Sequence, residues 1–291
     1  MILQFLINGL ITGSIYAILG LGFSLVYNTT HIFHIAYAGV YVAGAYGYYF
    51  FYRVLNFPIY ISFFFGVIVS IILNLITEIL VYKPAYKRRS SPAILLISSI
   101  GLYICIVNLI ALLFGNEIKI IITGIQKTYS IGNIILTQIQ IIQFFSFLLI
   151  SFSYMIFLKK TKLGILIRSL SDNPELLSST GVNIFKLRNI IFIISGAIAG
   201  IASCLVATDI GIDPWGGMSI LLVGIVSLIV GGVDKFESPL LGGLLIGIIQ
   251  SLVVWKTSAR WQDSITFLIL IIFLLFKPEG IIGTKRRFEE I

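Results

Sequence analysis

Lys159-Lys-Thr-Lys-Leu-Gly-Ile-Leu-Ile-Arg168-Ser-Leu-Ser-Asp-Asn-Pro174-Glu-Leu-Leu-Ser-Ser-Thr-Gly181-Val-Asn-Ile-Phe-Lys-Leu-Arg188 is a polar, basic island between two strongly apolar runs, Ile139–Leu158 and Asn189–Ala207. Apolar runs of about 20 residues are long enough to cross the hydrocarbon core of a bilayer as helices. A chain that only needs to cross joins such helices by short turns. An island this long, with a helical pattern of its own, is a candidate docking surface for a soluble partner.

The rest of the chain extends the reading. Of its 291 residues, 58% are hydrophobic and 11% charged, and the mean hydropathy is +1.05. Soluble domains carry about 25% charged residues, and a soluble fold of this length could not hide so much apolar surface. Nine candidate spans follow: Ile2–Tyr27, His34–Tyr52, Phe57–Tyr82, Ala93–Gly115, Ile139–Leu158, Asn189–Ala207, Gly217–Val233, Pro239–Trp255 and the short Ser264–Phe276. The expected fold is an all-α polytopic transmembrane helix bundle of about eight or nine spans, some broken or re-entrant, forming one integral-membrane domain over the whole chain. Residues 1–27 lack a basic leader and a small-residue cleavage site, so the first segment is expected to be a retained helix.

Charge sets the expected orientation. The net charge of +8 does not point to nucleic acid, because the basic residues sit between apolar runs. Loop 83–92, loop 159–188 and the tail 277–291 hold fourteen of the twenty Lys and Arg. The positive-inside rule puts these three regions, and with them the C-terminus, in the cytoplasm. Counting back puts the N-terminus outside, provided residues 28–33 form a turn; residues 28–39 could instead be an unwound or re-entrant stretch. Segment 116–138, rich in Ile and Thr with Gly124 and Gly132, reads as extended pieces or an interfacial hairpin over the outer mouth.

Little in the chain suggests chemistry. It has no Gly-rich phosphate loop ending in Lys-Ser/Thr, no His-Glu-x-x-His and no cysteine pair, so no catalytic residue, cofactor or metal is expected. Cys105 and Cys204 read as small buried hydrophobes. Glu78, the one acid inside an expected span, lies about a turn from a basic loop and is expected to reach the interface. The scarcity of ionisable groups within spans argues against an ion-coupled carrier. Gly196 with Gly200, and Gly243 with Gly247, have the small-xxx-small spacing of closely packed helices. Two stretches look interrupted: His34-Ile-Ala-Tyr37-Ala-Gly39-Val-Tyr41 and Asp213-Pro-Trp-Gly-Gly-Met-Ser219. Such breaks in two halves of a transporter can mark a central solute site.

Four stretches then carry a family resemblance. They are Asn8-Gly-Leu-Ile-Thr-Gly-Ser-Ile-Tyr16 through Tyr27; Gly164-Ile-Leu-Ile-Arg168 with Asn173-Pro-Glu175 and Gly181-Val-Asn183; Gly231-Gly232 with Gly242-Gly243-Leu-Leu-Ile-Gly247; and Lys277-Pro-Glu-Gly280-Ile-Ile-Gly283. Together the chain resembles the permease subunits of bacterial ATP-binding cassette importers of the branched-chain amino acid type, within a group that includes ribose-type permeases. It departs from that family at His34–Gly39, where the usual His-Gly-Glu is missing, and at Asp234, Lys235 and Glu237 between the glycine pairs.

The resemblance implies a non-enzymatic permease paired with a second, similar subunit. Cytoplasmic ATPase subunits would dock below, and an extracytoplasmic binding protein would deliver the solute. Branched-chain or other amino acids come first; urea or short amides, sugars and nucleosides stay open, as does an ion-coupled carrier. The loop matching 171–183 would supply a short coupling helix, with Ser171, Asp172, Glu175, Leu177, Gly181 and Asn183 as its residues. The capping signals agree: Ser171 and Asp172 are N-cap types, Pro174 and Glu175 suit a first turn, and Gly181 is a stop, giving about two turns. Leu176, Leu177 and Val182 would press into a partner. Tyr16, His34, Tyr37, Tyr41 and Ser219 would line the solute path.

Overall fold

The computed structural model describes residues 2–122, 124, 127–132 and 134–283. The basic tail residues Lys285, Arg286 and Arg287 lie outside the described residues, as do Thr123, Ile125, Gln126 and Asn133 of the expected outer loop.

Helix α1 (Ile2–Thr30) ends where His31 turns to φ +51°. Residues 31–35 are non-helical, so the interruption expected near 28–39 is a short unwound stretch rather than a full turn. Helix α2 (Ala36–Tyr49) follows and widens into a π turn at Phe50–Val54. Helix α3 (Ile59–Thr77), a second π turn at Glu78–Tyr82 and α4 (Lys83–Lys87) form one continuous 29-residue rod. The basic loop expected at 83–92 is thus helical to Lys87 and turns only afterwards, with Arg89 at φ +50°.

Helix α5 (Pro92–Phe114) starts on a proline, whose fixed φ suits a first turn, and stops at Gly115, φ +83°. Strands β1 (Thr128–Ile131) and β2 (Ile134–Thr137) then form an antiparallel hairpin with Thr128 opposite Thr137. Thr137 and Gln140 close a reciprocal capping box on α6 (Gln138–Lys160). The amphipathic α7 (Lys162–Asp172) and short α8 (Pro174–Ser179) precede α9 (Ile184–Ile210). The chain closes with α10 (Gly216–Gly231), α11 (Ser238–Lys256) and α12 (Gln262–Phe276).

The result is a polytopic helical bundle. Seven helices among the described residues are long and apolar enough to cross a membrane. Two expected spans are shorter: α2 has 14 residues before its π turn, and α10 has 16, about 24 Å at the usual rise.

Packing follows the small residues. Helices α1 and α11 lie backbone against backbone: a Cβ placed on Gly9 would stand 2.8 Å from the Gly247 carbonyl oxygen, and one on Gly13 2.8 Å from that of Gly243. On α9, a Cβ on Gly196 would stand 2.9 Å from Asn74 Cβ, and one on Gly200 2.8 Å from Val67 Cα, both on α3. The main apolar core is built chiefly on α1, α2 and α9, and a smaller one joins α10, α11 and α12 around Val226 and Ile246. Cys204 is buried as expected, but Cys105 is exposed, because it lies on the outward face of α5.

The bundle has two chemically distinct ends. At one, Gln4 exchanges hydrogen bonds with the Ile135 backbone of the hairpin, and Lys119 pairs with Ile212. At the other, Lys83 and Lys87 stack on Phe185, Lys159 meets Glu237, and the 281–282 backbone donates to Val230 and Gly231. Helix α1 joins the two ends, and its Asn28 carbonyl accepts from Ser171 at the basic one.

Candidate functional site

The basic end is organised by the island of 159–188. Thr161 caps α7 by accepting the Gly164 N–H at 3.0 Å. Gly164 is needed there: a side chain would strike the Phe157 carbonyl, where α7 folds back on α6. Ile167 and Leu170 bury the inner face of α7. That helix runs through Ser171 and Asp172, so neither caps the next one as expected. Ser171 instead donates to the Asn28 carbonyl at 2.6 Å.

The cap of α8 is Asn173, whose Oδ1 accepts the N–H groups of Glu175 and Leu176, both at 3.0 Å. An Asn side chain already committed to two donors of the next turn outcompetes residues still inside the previous helix. Helix α8 is six residues, nearer one and a half turns than two. Gly181 follows at φ +83°, a conformation costly for any residue with a Cβ. Asn183 accepts the Lys186 N–H at 3.1 Å and starts α9.

Leu177 is turned inward at 7% exposure, whereas Leu176 is 66% exposed. The expectation that both leucines face a partner is corrected: one turn of helix cannot show two consecutive side chains to the same side. Asp172, Glu175 and Asn183 are exposed, and Val182 is half-buried.

Behind α8 sits a contact that sequence reasoning missed. Glu78 does not reach the interface. It is fully buried, and Arg188, the last residue of the basic island, is 2% exposed. Arg188 Nε donates to Glu78 Oε1 at 2.6 Å and Nη2 to Oε2 at 2.9 Å, a bidentate pair joining α3 to α9. A buried ion pair is tolerated only with such geometry, since both charges lose their water. The usable signal was Glu78 itself: an acid inside an apolar span calls for a cation. The π turn sets both Glu78 and Tyr82 inward.

Tyr82 leads into a second polar cluster, at the unwound start of α2. The Tyr82 hydroxyl is hydrogen-bonded to Ser99 Oγ and His34 Nδ1, both at 2.8 Å, and Ser99 accepts the Ala36 N–H at 2.9 Å. Asn74 Nδ2 donates to the Phe192 carbonyl, so its Oδ1 is the acceptor facing His34 Nε2 at 2.8 Å. His34 and Tyr37 come together, with ring centroids 5.7 Å apart, but both are enclosed by protein. Tyr37 donates to the Ser195 carbonyl.

The other three path candidates sit elsewhere. The Tyr41 hydroxyl is buried with no hydrogen-bond partner among the described residues. Tyr16 packs on the smaller core, and Ser219 is exposed on α10. Ser219 borders a cleft of about 50 Å³ with Asp263 and Thr266 of α12. Next to the cleft, Gln250, Gln262 and Thr266 form a hydrogen-bonded set. Asp213 is occupied locally, accepting the Trp215 and Gly216 N–H groups at 2.8 Å and so fixing the start of α10.

Membrane-length helices, two shorter apolar ones beside them and a capped amphipathic elbow at the basic end define a polytopic membrane protein. The chain belongs to the family described as branched-chain amino acid transport system / permease component, which it matches over residues 5–274. Its relatives include the high-affinity branched-chain amino acid transport system permease protein BraD of Pseudomonas aeruginosa, 27% identical over 97% of this chain and 95% of that protein. Another is the probable branched-chain amino acid transport permease protein LivH of Methanocaldococcus jannaschii, 28% identical over 95% of this chain and 91% of that protein. Among solved structures, PsaBC from Streptococcus pneumoniae in complex with Fab shares the fold. Its TM-score is 0.55 and its identity 14%, covering 98% of this chain and 94% of that one. Members of the family are membrane transport components of ATP-binding cassette importers, not enzymes.

Proposed function

We propose that this chain is one of two permease subunits that move an amino acid, most readily a branched-chain one, into the cell by alternating access. The near full-length family match carries this reading. The chain crosses the membrane nine times as a single domain, with α2 and α10 as the short crossings. The basic end and the C-terminus face the cytoplasm, and the hairpin end faces the extracytoplasmic binding protein. ATP is hydrolysed on separate subunits that dock on α8. Leu176 is the apolar contact, Asn173 and Gly181 set the helix limits, and Glu175 marks the rim. Solute passes along the side of Tyr16 and Ser219, towards the buried hydroxyl of Tyr41. His34 and Tyr37 hold α2 in place behind it.

Reconstitution of the chain with its second permease, ATPase subunits and binding protein tests the reading. Leucine uptake into proteoliposomes should require ATP inside the ATPase-bearing compartment. Uptake driven by an ion gradient without ATPase subunits would overturn it. Uptake of urea, a sugar or a nucleoside but no amino acid would keep the importer and replace the solute. Leu176→Asp should weaken ATPase retention by about tenfold or more, the equivalent of ~1.4 kcal/mol, while the permease stays folded.

A further inference from the structure

Between the end of α4 and the start of α8 lies a cavity of about 590 Å³ that opens at the basic end. Lys87 and Arg89 form one wall, and Glu175, in the first turn of α8, forms the other. All three are exposed, and none of them is in an ion pair among the described residues. The floor is aromatic: Tyr86 and Phe185 meet edge-on with centroids 6.0 Å apart. Lys83 and Lys87 each lie 5.5 Å from the Phe185 centroid, and the Arg188 guanidinium lies 4.8 Å from that of Tyr86. The basic wall has a set shape, because Arg89 at φ +50° is held by its N–H bond to the Tyr86 carbonyl, and the Ser90 N–H closes on Ala85.

We propose that this basin is a second docking point for the ATPase subunit, beside the coupling helix. It would receive an acidic side chain of that subunit on Lys87 and Arg89, and a basic one against Glu175. The proposal rests on the reading of α8 as the coupling helix, with whose first turn the basin is continuous. Walls of opposite charge select a protein surface carrying both signs, arranged to complement them. A lipid phosphate would have to enter past the Glu175 carboxylate. The floor is tied through Arg188 to Glu78, so a subunit seated here touches α4, α8 and α9 directly and reaches the α3 rod through the ion pair.

The test uses the complete complex in detergent, with ATPase retention measured across a salt series. Lys87→Glu with Arg89→Glu should lower retention about tenfold at low salt and flatten its salt dependence, as expected for rim charges that steer association. The milder Lys87→Gln with Arg89→Gln should fall between, and gel filtration of the free permease reports whether either variant folds. Reversing the facing acids of the ATPase subunit should restore retention to the Glu variant. If Leu176→Asp releases the ATPase and the Lys87/Arg89 variants do not, the basin proposal falls while the coupling helix stands. If neither releases it, both fall. If the double variant loses only its binding to phosphatidylglycerol vesicles, the basin is a headgroup site and the proposal is overturned.

Discussion

The α1–α11 seam and the α3–α9 interface join helices by different means. The first rests on Gly9 and Gly13 against Gly243 and Gly247, with one hydrogen bond from Ser251 to the Phe5 carbonyl near the hairpin end. The second also uses small residues, Gly196 and Gly200, but adds Asn74 bonded to the Phe192 carbonyl and the Glu78–Arg188 pair. In lipid, apolar contact brings no hydrophobic gain, so glycine seams work by close van der Waals approach, which is strong but weakly directional. Hydrogen bonds and ion pairs act at one register only. The α3–α9 interface thus carries its directional contacts towards the basic end, whereas the seam holds mainly by close approach, with its hydrogen bond at the hairpin end. If α8 is the coupling helix proposed above, the helices that receive its motion need a defined register at the basic end.

The largest effect expected from breaking this contrast is at the ion pair. Arg188→Met leaves Glu78 buried without its cation, which costs about 3–5 kcal/mol. Thermal unfolding of the purified subunit should show it. Adding Glu78→Met should recover most of the stability, since two apolar side chains of similar size carry no desolvation penalty. A single variant as stable as the parent would mean the pair does not bear on the α3–α9 contact.

The seam should respond differently. A Cβ in Gly247→Ala would overlap Gly13 Cα and the Gly9 carbonyl, both backbone and unable to rotate away. The helices must separate, at about 1–3 kcal/mol for an overpacked contact. No change of charge elsewhere should rescue it. If Gly247→Ala unfolds no earlier than the parent, the seam is looser than its geometry and the contrast between the two interfaces weakens.

What the chain revealed before its fold divides along the same line. Apolar runs and glycine spacings are local, so the helices and the two glycine pairs were readable. A break after α1 was readable from its polar and aromatic run, but not whether it is a turn or an unwound stretch. The Glu78–Arg188 contact joins residues 110 positions apart, and no local pattern pairs them. The π turn that swings Tyr82 inward leaves no trace in apolar periodicity. Around α8, Ser171, Asp172 and Asn173 are all cap-forming types; which one caps depends on how far α7 runs, and that is set by Ile167 and Leu170 packing inward. Leu176 and Leu177 are alike in composition, and only the rotation of a six-residue helix tells the exposed one from the buried one.

The smallest expected effect sharpens the comparison inside the polar layer. Tyr82→Phe keeps the ring against Phe192, 5.7 Å between centroids, and removes only the hydroxyl shared by His34 and Ser99. Hydrogen bonds between membrane helices average about 0.6 kcal/mol, because the separated state also finds partners. Stability should therefore fall by roughly that amount, well below the Arg188→Met loss. The local consequence is more specific. Ser99 also accepts the first N–H of α2, so freeing one side of Ser99 loosens the start of that helix. Hydrogen exchange at Ala36 and Tyr37 should rise in Tyr82→Phe while exchange along α11 stays unchanged. If stability drops as far as in Arg188→Met, the hydroxyl network rather than the ion pair fixes the register of α3. The basic end of α3 would then be tied first to the unwound start of α2, and only secondarily to α9.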